Sequence, residues 1–218
     1  MTGQIAWTDG TPLSVRFDDP YYSLQDGLAE SEHVFLHGNR IEERLDGPLR
    51  VAELGFGTGL SFLALWRLWE AGPKQPLSFT SFELALPSPE DMRRALGRFP
   101  ELEALVGQLL AEPLGAGARE VALGLVLEII GGDARTTLPH WGGHADAWFL
   151  DGFSPAKNPE LWEPDLMAEV GRHTAKGGTF ATYTAAGHVR RALEDAGFEV
   201  SRVPGYGRKR HMSIGRLG

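Results

Sequence analysis

Three carboxylates, Glu83, Asp133 and Asp151, each follow a short apolar run, and a glycine-rich turn, Glu53-Leu54-Gly55-Phe56-Gly57-Thr58-Gly59, ends a fourth. These residue types, recurring in this way, can build one polar crevice. Glycines at alternate positions let the chain turn sharply and bring its backbone close to a ligand. A helix that starts at the turn leaves unpaired N–H groups facing the same place. The spacing is G-x-G-x-G, not the dinucleotide fingerprint G-x-G-x-x-G. It suits a nucleoside with an amino-acid tail better than a pyrophosphate, and Glu53, two residues before the first glycine, can meet a cationic tail. Glu83 offers two acceptor oxygens to the vicinal hydroxyls of a ribose. Asp133, after Gly131-Gly132 and before Ala134, can accept from an exocyclic adenine amine or cap the short helix that follows. Asp151 ends the buried run Ala147-Trp148-Phe149-Leu150 and opens a stiff loop containing Phe153, Pro155, Lys157 and Asn158.

Such acids need elements that deliver them to one edge. From Leu49 onward the pattern alternates strands and helices. The strands are LRVAEL, LSFTSFE, LGLVLEII, DAWFLD, GGTFATYT, FEVSRV and HMSIGRL. Between them lie a helix closed by Gly72, a helix capped by Ser88, the segment ELEALVGQLLAE, a helix started by Pro164, and AAGHVRRALEDAG. The stretch AEPLGAGARE reads as a loop. Buried strands alternating with helices predict an α/β fold: a Rossmann-like, doubly wound, mostly parallel sheet of seven strands. In such sheets ligands sit beyond the carboxyl ends of the strands, where these acids lie. Residues 1–48 are turn-rich, with TPLSVRF as a candidate strand and GLAESEHVFLHGNRIEERL at helical spacing, and form an N-terminal extension on a domain of 49–218.

Composition narrows the class. The 218 residues, 42% apolar and 23% charged, are those of an ordinary globular domain. The absence of cysteine excludes disulfides, thiolate metal sites and a cysteine nucleophile, and fits a cytoplasmic location. No signal peptide or membrane span is expected. The seven histidines are scattered and no metal site is expected. The net charge is −8, yet His188 to Arg216 holds seven Lys/Arg against three Asp/Glu. A basic segment on an acidic body can make a local phosphate-binding face.

The series resembles class I S-adenosylmethionine-dependent methyltransferases. FDDPYYSLQDGLAESEHVFLHGN, VAELGFGTGLSFL, DAWFLDGFSPAKNPELW, TYTAAGHVRRALEDAGF and GYGRKRHMSIGRL resemble, in order, the methyltransferase domain of the bacterial tRNA-modifying MnmC family and its standalone MnmD-like form. Two positions depart from the family pattern. Leu84–Pro87 follow the ribose-binding acid where a lysine and a proline are usual, and Tyr21-Tyr22-Ser23 stands for Tyr-Phe-Ser. The resemblance implies S-adenosylmethionine as cofactor and the anticodon loop of tRNA as partner. It implies methylation of wobble 5-aminomethyl-2-thiouridine to 5-methylaminomethyl-2-thiouridine. The flavin oxidase half of bifunctional relatives is expected to be absent, so other enzymes would supply the amine.

That chemistry assigns roles. A primary alkylamine is mostly protonated at neutral pH, so the site must accept a proton and hold nitrogen and methyl in line. Asp151 is the expected acceptor, with Pro155 fixing its loop. Phe153 is a candidate for stacking on a base, Lys157 for a phosphate contact, Tyr183 for facing the target base, and Tyr22 for covering the cofactor. Arg190, Arg191, Arg208, Lys209 and Arg210 are expected to contact phosphates. The rival readings are an N-methyltransferase for a small-molecule amine, a nicotinamide oxidoreductase and a non-catalytic tRNA-binding module.

Overall fold

A computed structural model of the chain describes residues 3–23 and 25–218. Three short strands open it: β1 (Ile5–Thr8), β2 (Thr11–Ser14) and β3 (Asp19–Pro20), paired in that order as a small antiparallel sheet. Helix α1 (Gly27–Ser31) is capped by Asp26, whose side chain accepts from Ala29 N, and runs into a wider π-type turn over Glu32–His37. The expected helix at 27–45 is therefore broken into short pieces.

The alternating region follows: β4 (Leu49–Leu54), α2 (Leu60–Ala71), β5 (Leu77–Glu83), α3 (Pro89–Leu96), α4 (Glu103–Leu109), β6 (Gly117–Ala122), β7 (Leu125–Gly131), α5 (Ala134–Thr137), β8 (Ala145–Leu150), α6 (Pro164–Arg172), β9 (Thr174–Thr182), α7 (Gly187–Asp195), β10 (Phe198–Pro204) and β11 (His211–Leu217). Local chemistry sets several boundaries as expected. Ser88 Oγ accepts from Asp91 N ahead of Pro89, and Pro164 takes the first position of α6, where its missing N–H costs nothing.

The large sheet has the order β10-β11-β9-β8-β4-β5-β7-β6. The β9, β8, β4, β5 and β7 strands run parallel; β11 is inserted antiparallel between β9 and β10, so that β10 at one edge runs with the central strands, while β6 at the other edge is antiparallel to β7. The doubly wound, mostly parallel sheet is present, with eight strands in place of seven. The addition is β6, which lies partly within the stretch read as a loop. It pairs with β7 from Gly117 opposite Ile129 to Ala122 opposite Leu125.

Both faces of the sheet are covered, so the central strands are continuous apolar runs. In β8, Phe149 packs on one side with Phe35, Phe62 and Phe79, while Trp148 and Leu150 pack on the other with Phe82, Trp162 and Phe180. The chain order reverses between β4 and β8. That reversal opens a crevice beyond their carboxyl ends.

The N-terminal segment is fastened to this body. Gly3 N donates to Leu86 O at 2.8 Å, Arg94 lies 3.9 Å over the Trp7 ring, and Asn39 bridges the main chain of Trp148 to the hydroxyl of Thr179. Placing 1–48 as a unit separate from 49–218 is an organisational proposal. In the folded chain, the side chains of Phe17, Asp19 and Glu30 all line the crevice.

Candidate active site

A cavity of about 710 Å³ fills the crevice. Its floor is the glycine turn after β4 and the loop after β8, which are neighbours because their strands pair. Gly55 has φ +90°, and a Cβ there would overlap the carbonyl oxygen of Asp151, so the close approach of the two loops requires glycine. Gly57 and Gly59 also take positive φ, 54° and 83°, and Gly59 caps α2. Phe56 and Thr58 line the cavity with Gly57, while Gly59 turns the chain behind them.

Glu83 ends β5 with each oxygen held by main chain. Gly57 N donates to Oε2 at 2.9 Å and Ala85 N to Oε1 at 2.7 Å. Burial raises its carboxyl above the usual range, and these N–H donors oppose the rise. Each oxygen keeps a further lone pair for the cavity. Asp133 caps α5 through Arg135 N and is gripped by the Arg135 guanidinium at 2.7 Å, which holds its carboxyl below the usual range. The cap, one of the two roles expected for this residue, is therefore present. Ala134 lies beside it on the wall.

Asp151 is the acid with the most unusual setting. Ser61 Oγ donates to its Oδ2 at 3.0 Å. Burial pushes the carboxyl up to about 7, against the Ser61 bond and the nearby Lys209 charge. The loop that follows is clamped. Tyr183 OH donates to Gly152 O at 2.7 Å, Trp162 Nε1 to Phe153 O at 2.9 Å, and Ser154 N to Asp19 Oδ2 at 2.8 Å. Phe153 stacks on Phe17 with ring centres 4.9 Å apart and meets the edge of Tyr21 at 5.1 Å. The N-terminal strap from Ser14 to Tyr22 therefore roofs part of the cavity.

Several expected site residues sit elsewhere. Glu53 is only 1% exposed, accepts from Ser81 Oγ at 2.7 Å, and does not line the cavity. It lies one residue short of the end of β4, so its side chain points into the protein. Burial, then the charge of Asp151, raise its carboxyl well above normal, which favours a neutral group unsuited to pairing with a cationic tail. Tyr22 does line the cavity, and it also anchors the strap: its hydroxyl donates to Ala95 O at 2.9 Å and its ring meets Phe99. Pro155 lies outside the cavity lining, and Lys157 pairs with Asp18 at 2.6 Å across the strap. Lys209 is not a free phosphate contact. Its Nζ lies 2.8 Å from Glu30 and 4.2 Å from the centre of the Tyr183 ring, on the cavity wall, with the side chain still 43% exposed. Arg191, Arg208 and Arg210 are exposed, whereas Arg190 is half-buried with Nε unpaired.

Sequence reasoning missed Arg16, Phe17, Asp19, Tyr21, Glu30 and Ser61, all of which line the cavity. The aromatic and acidic run FDDPYY was the available signal, since such residues cluster in a turn-rich segment only when they cover something. Tyr21 is pushed up to about 12 by burial and the charge of Glu83. His33 and His37, read as scattered in the sequence with no close pair, lie together with rings 6.3 Å apart. No group of three or more possible metal-ligating side chains gathers among the described residues. No helix there is long and apolar enough to cross a membrane.

Comparison with known proteins agrees with this geometry. A family model described as S-adenosyl-L-methionine-dependent methyltransferase matches residues 99–217. The chain is 48% identical to the "tRNA 5-methylaminomethyl-2-thiouridine biosynthesis bifunctional protein MnmC" of Pseudomonas aeruginosa, over 97% of this chain and 34% of that protein. It is 44% identical to the MnmC of Chromobacterium violaceum, with the same two coverages. It thus spans about a third of the length of these curated relatives. The crystal structure of MNMC2 from Aquifex aeolicus superposes with a TM-score of 0.78 at 29% identity, covering all of this chain and 71% of the other. The glycine turn, the acids at the strand ends and these matches together make the chain a member of the S-adenosyl-L-methionine-dependent methyltransferase family.

Proposed function

We propose that this chain transfers a methyl group from S-adenosylmethionine to the amine of wobble 5-aminomethyl-2-thiouridine in tRNA. The observation that carries this reading is Asp151, a buried carboxyl raised to about 7 at the junction of the glycine turn and the clamped loop. A general base works best when its pKa lies near the working pH. Asp151 is better matched to an alkylammonium proton than an ordinary carboxylate, and it stands where two walls of the cavity meet.

The cavity residues fit the cofactor. Glu83 would offer lone pairs to the ribose hydroxyls, Asp133 and Ala134 would receive the adenine edge, and the turn from Gly55 to Thr58 would lie along the tail. Tyr21 and Phe153 close over that region from the strap side. The cofactor supplies an electrophilic methyl on a positively charged sulfur. The protein's part is to strip one proton from the acceptor amine at Asp151 Oδ1 or Oδ2 and hold the nitrogen in line. Ser61 fixes the orientation of Asp151 through its hydrogen bond.

The acceptor assignment rests on the relatives, whose printed name concerns 5-methylaminomethyl-2-thiouridine in tRNA. The exposed Arg191, Arg208 and Arg210 give a cationic approach on a chain of net charge −8. Phosphate contacts of this kind fix register and carry no base information. An anticodon loop presents a wobble base that can be splayed into a pocket. The setting is cytoplasmic, downstream of enzymes that install the aminomethyl group. The N-terminal extension contributes the strap from Ser14 to Tyr22 over the catalytic domain.

The test is labelled methyl transfer from S-adenosylmethionine to three acceptors: tRNA bearing the aminomethyl group, tRNA with unmodified wobble uridine, and free polyamine. Transfer to the first alone is expected. Transfer to polyamine alone would replace the acceptor with a small molecule.

A further inference from the structure

One cation in the cavity has no task in the reaction described above. Lys209 comes from the loop joining β10 to β11, between the exposed Arg208 and Arg210. Its side chain, partly exposed, folds over the cavity wall and sets Nζ 2.8 Å from Glu30 Oε1 and 4.2 Å from the centre of the Tyr183 ring. Glu30 is nearly enclosed, with 11% of its side chain exposed, and reaches the site from α1. Asp151 lines the same cavity, close enough for its carboxyl to feel the charges of Lys209 and Glu30. A carboxylate, an aromatic face and a second carboxylate around one point make a receptor for a compact organic cation. Lysine ends in such a cation: a primary ammonium on a flexible alkyl stem. An aminomethyl group on a base ends in the same group.

We infer that the corner formed by Glu30, Tyr183 and Asp151 receives the ammonium group of the acceptor, and that Lys209 is its resident stand-in, lifted out when RNA engages Arg208 and Arg210. This rests on the proposed tRNA reading for the identity of the acceptor. The loop is a compact unit closed on itself. Gly205 N pairs with Arg210 O, Lys209 N with Tyr206 O, and Gly207 takes φ +58°. Phosphate binding on either side of Lys209 pulls on the residue whose side chain plugs the pocket. An empty protein then keeps its acidic corner neutralised, and an amine without an RNA backbone has to compete with Lys209. Selectivity for RNA over free amines follows from this arrangement.

Only four lysines occur, at 74, 157, 176 and 209, so lysine-selective ¹³C labelling with NMR reads the plug directly, with K209M for assignment. In the free protein the Lys209 ε-methylene protons are expected upfield of the others, shielded by the Tyr183 ring. Saturating anticodon stem-loop RNA that carries the aminomethyl uridine should move them to the ordinary lysine position. If they stay shielded in the saturated complex, Lys209 is a fixed part of the site and the inference is wrong.

A second arm measures binding of two nucleosides, 5-aminomethyluridine and 5-methyluridine. Removing an occupant that fills the corner nine times in ten tightens the amine ligand about tenfold. The gain is expected in K209M for 5-aminomethyluridine alone and is lost again in K209M combined with E30Q. No gain, or an equal gain for both nucleosides, would overturn the assignment. The two readings fail separately. Normal methylation of the RNA with Lys209 unmoved removes the plug and keeps the acceptor. An amine-selective gain in K209M with no methylation of RNA keeps the corner and removes the acceptor.

Discussion

Replacing Asp151 with asparagine separates its electrostatic cost from its chemistry. Burial lifts this carboxyl from 3.8 to about 7. The folded chain therefore holds a proton that the unfolded chain has already released. Stability from this group is fully present below about pH 4 and is lost as pH rises to about 7, because ionising Asp151 in the fold is costly. At about 1.4 kcal/mol per pKa unit, the rise sets an upper bound of about 4 kcal/mol. Asp151 lines the open cavity, and screening there reduces the figure to about 2 kcal/mol. The asparagine side chain of D151N keeps an acceptor for Ser61 Oγ and never ionises. Urea denaturation of both proteins from pH 5 to pH 8.5 is the assay. The variant should gain on the parent as pH rises, level off above pH 7 and end about 2 kcal/mol more stable. Its methyl transfer should fall by about a hundredfold or more, the scale of a lost general base, while cofactor affinity changes little. A stability difference that is flat across this range, or that favours the parent at high pH, would refute the reasoning.

Other perturbations have equally definite outcomes. Glu83→Ala strips acceptors from Gly57 N and Ala85 N and should weaken S-adenosylmethionine binding by more than about tenfold in calorimetry, because two N–H groups lose their partner as well as the ribose. Gly55→Ala places a Cβ against the carbonyl oxygen of Asp151 at a φ of +90°. It should cost about 1–3 kcal/mol in thermal or urea unfolding and lower cofactor affinity. Arg208→Ala and Arg210→Ala should each reduce the slope of log affinity for tRNA against log salt by about one, with affinity falling alike for all tRNAs.

Much of this was legible because parallel sheets impose strong patterns. Four successive buried residues, Ala147 to Leu150, could only be a central strand, and a central strand must deliver its next residue to the crevice. The same logic located Glu83 and Asp133. The misreadings have local causes. β6 is largely half-exposed and carries Gly, Arg and Glu, so its strand state comes from pairing with β7 at the sheet edge rather than from its own preference. Glu53 looked like the acid for a cationic tail, but strand alternation turns the penultimate residue inward. Lys209 looked like one of three equal cations, and only the hairpin loop shows that the middle one turns to the cavity wall. The strap from Ser14 to Tyr22 is held by long-range contacts to Phe153, Ser154 and Lys157, which no local pattern encodes.

The central claim is the chemical identity of the product. Nucleoside mass spectrometry should be run on tRNA bearing 5-aminomethyl-2-thiouridine after incubation with the protein and S-adenosylmethionine. The account predicts one added methyl on that nucleoside and on no other, with the parent protein and not with D151N. A nucleoside left unmethylated by protein that demonstrably binds the cofactor would contradict it.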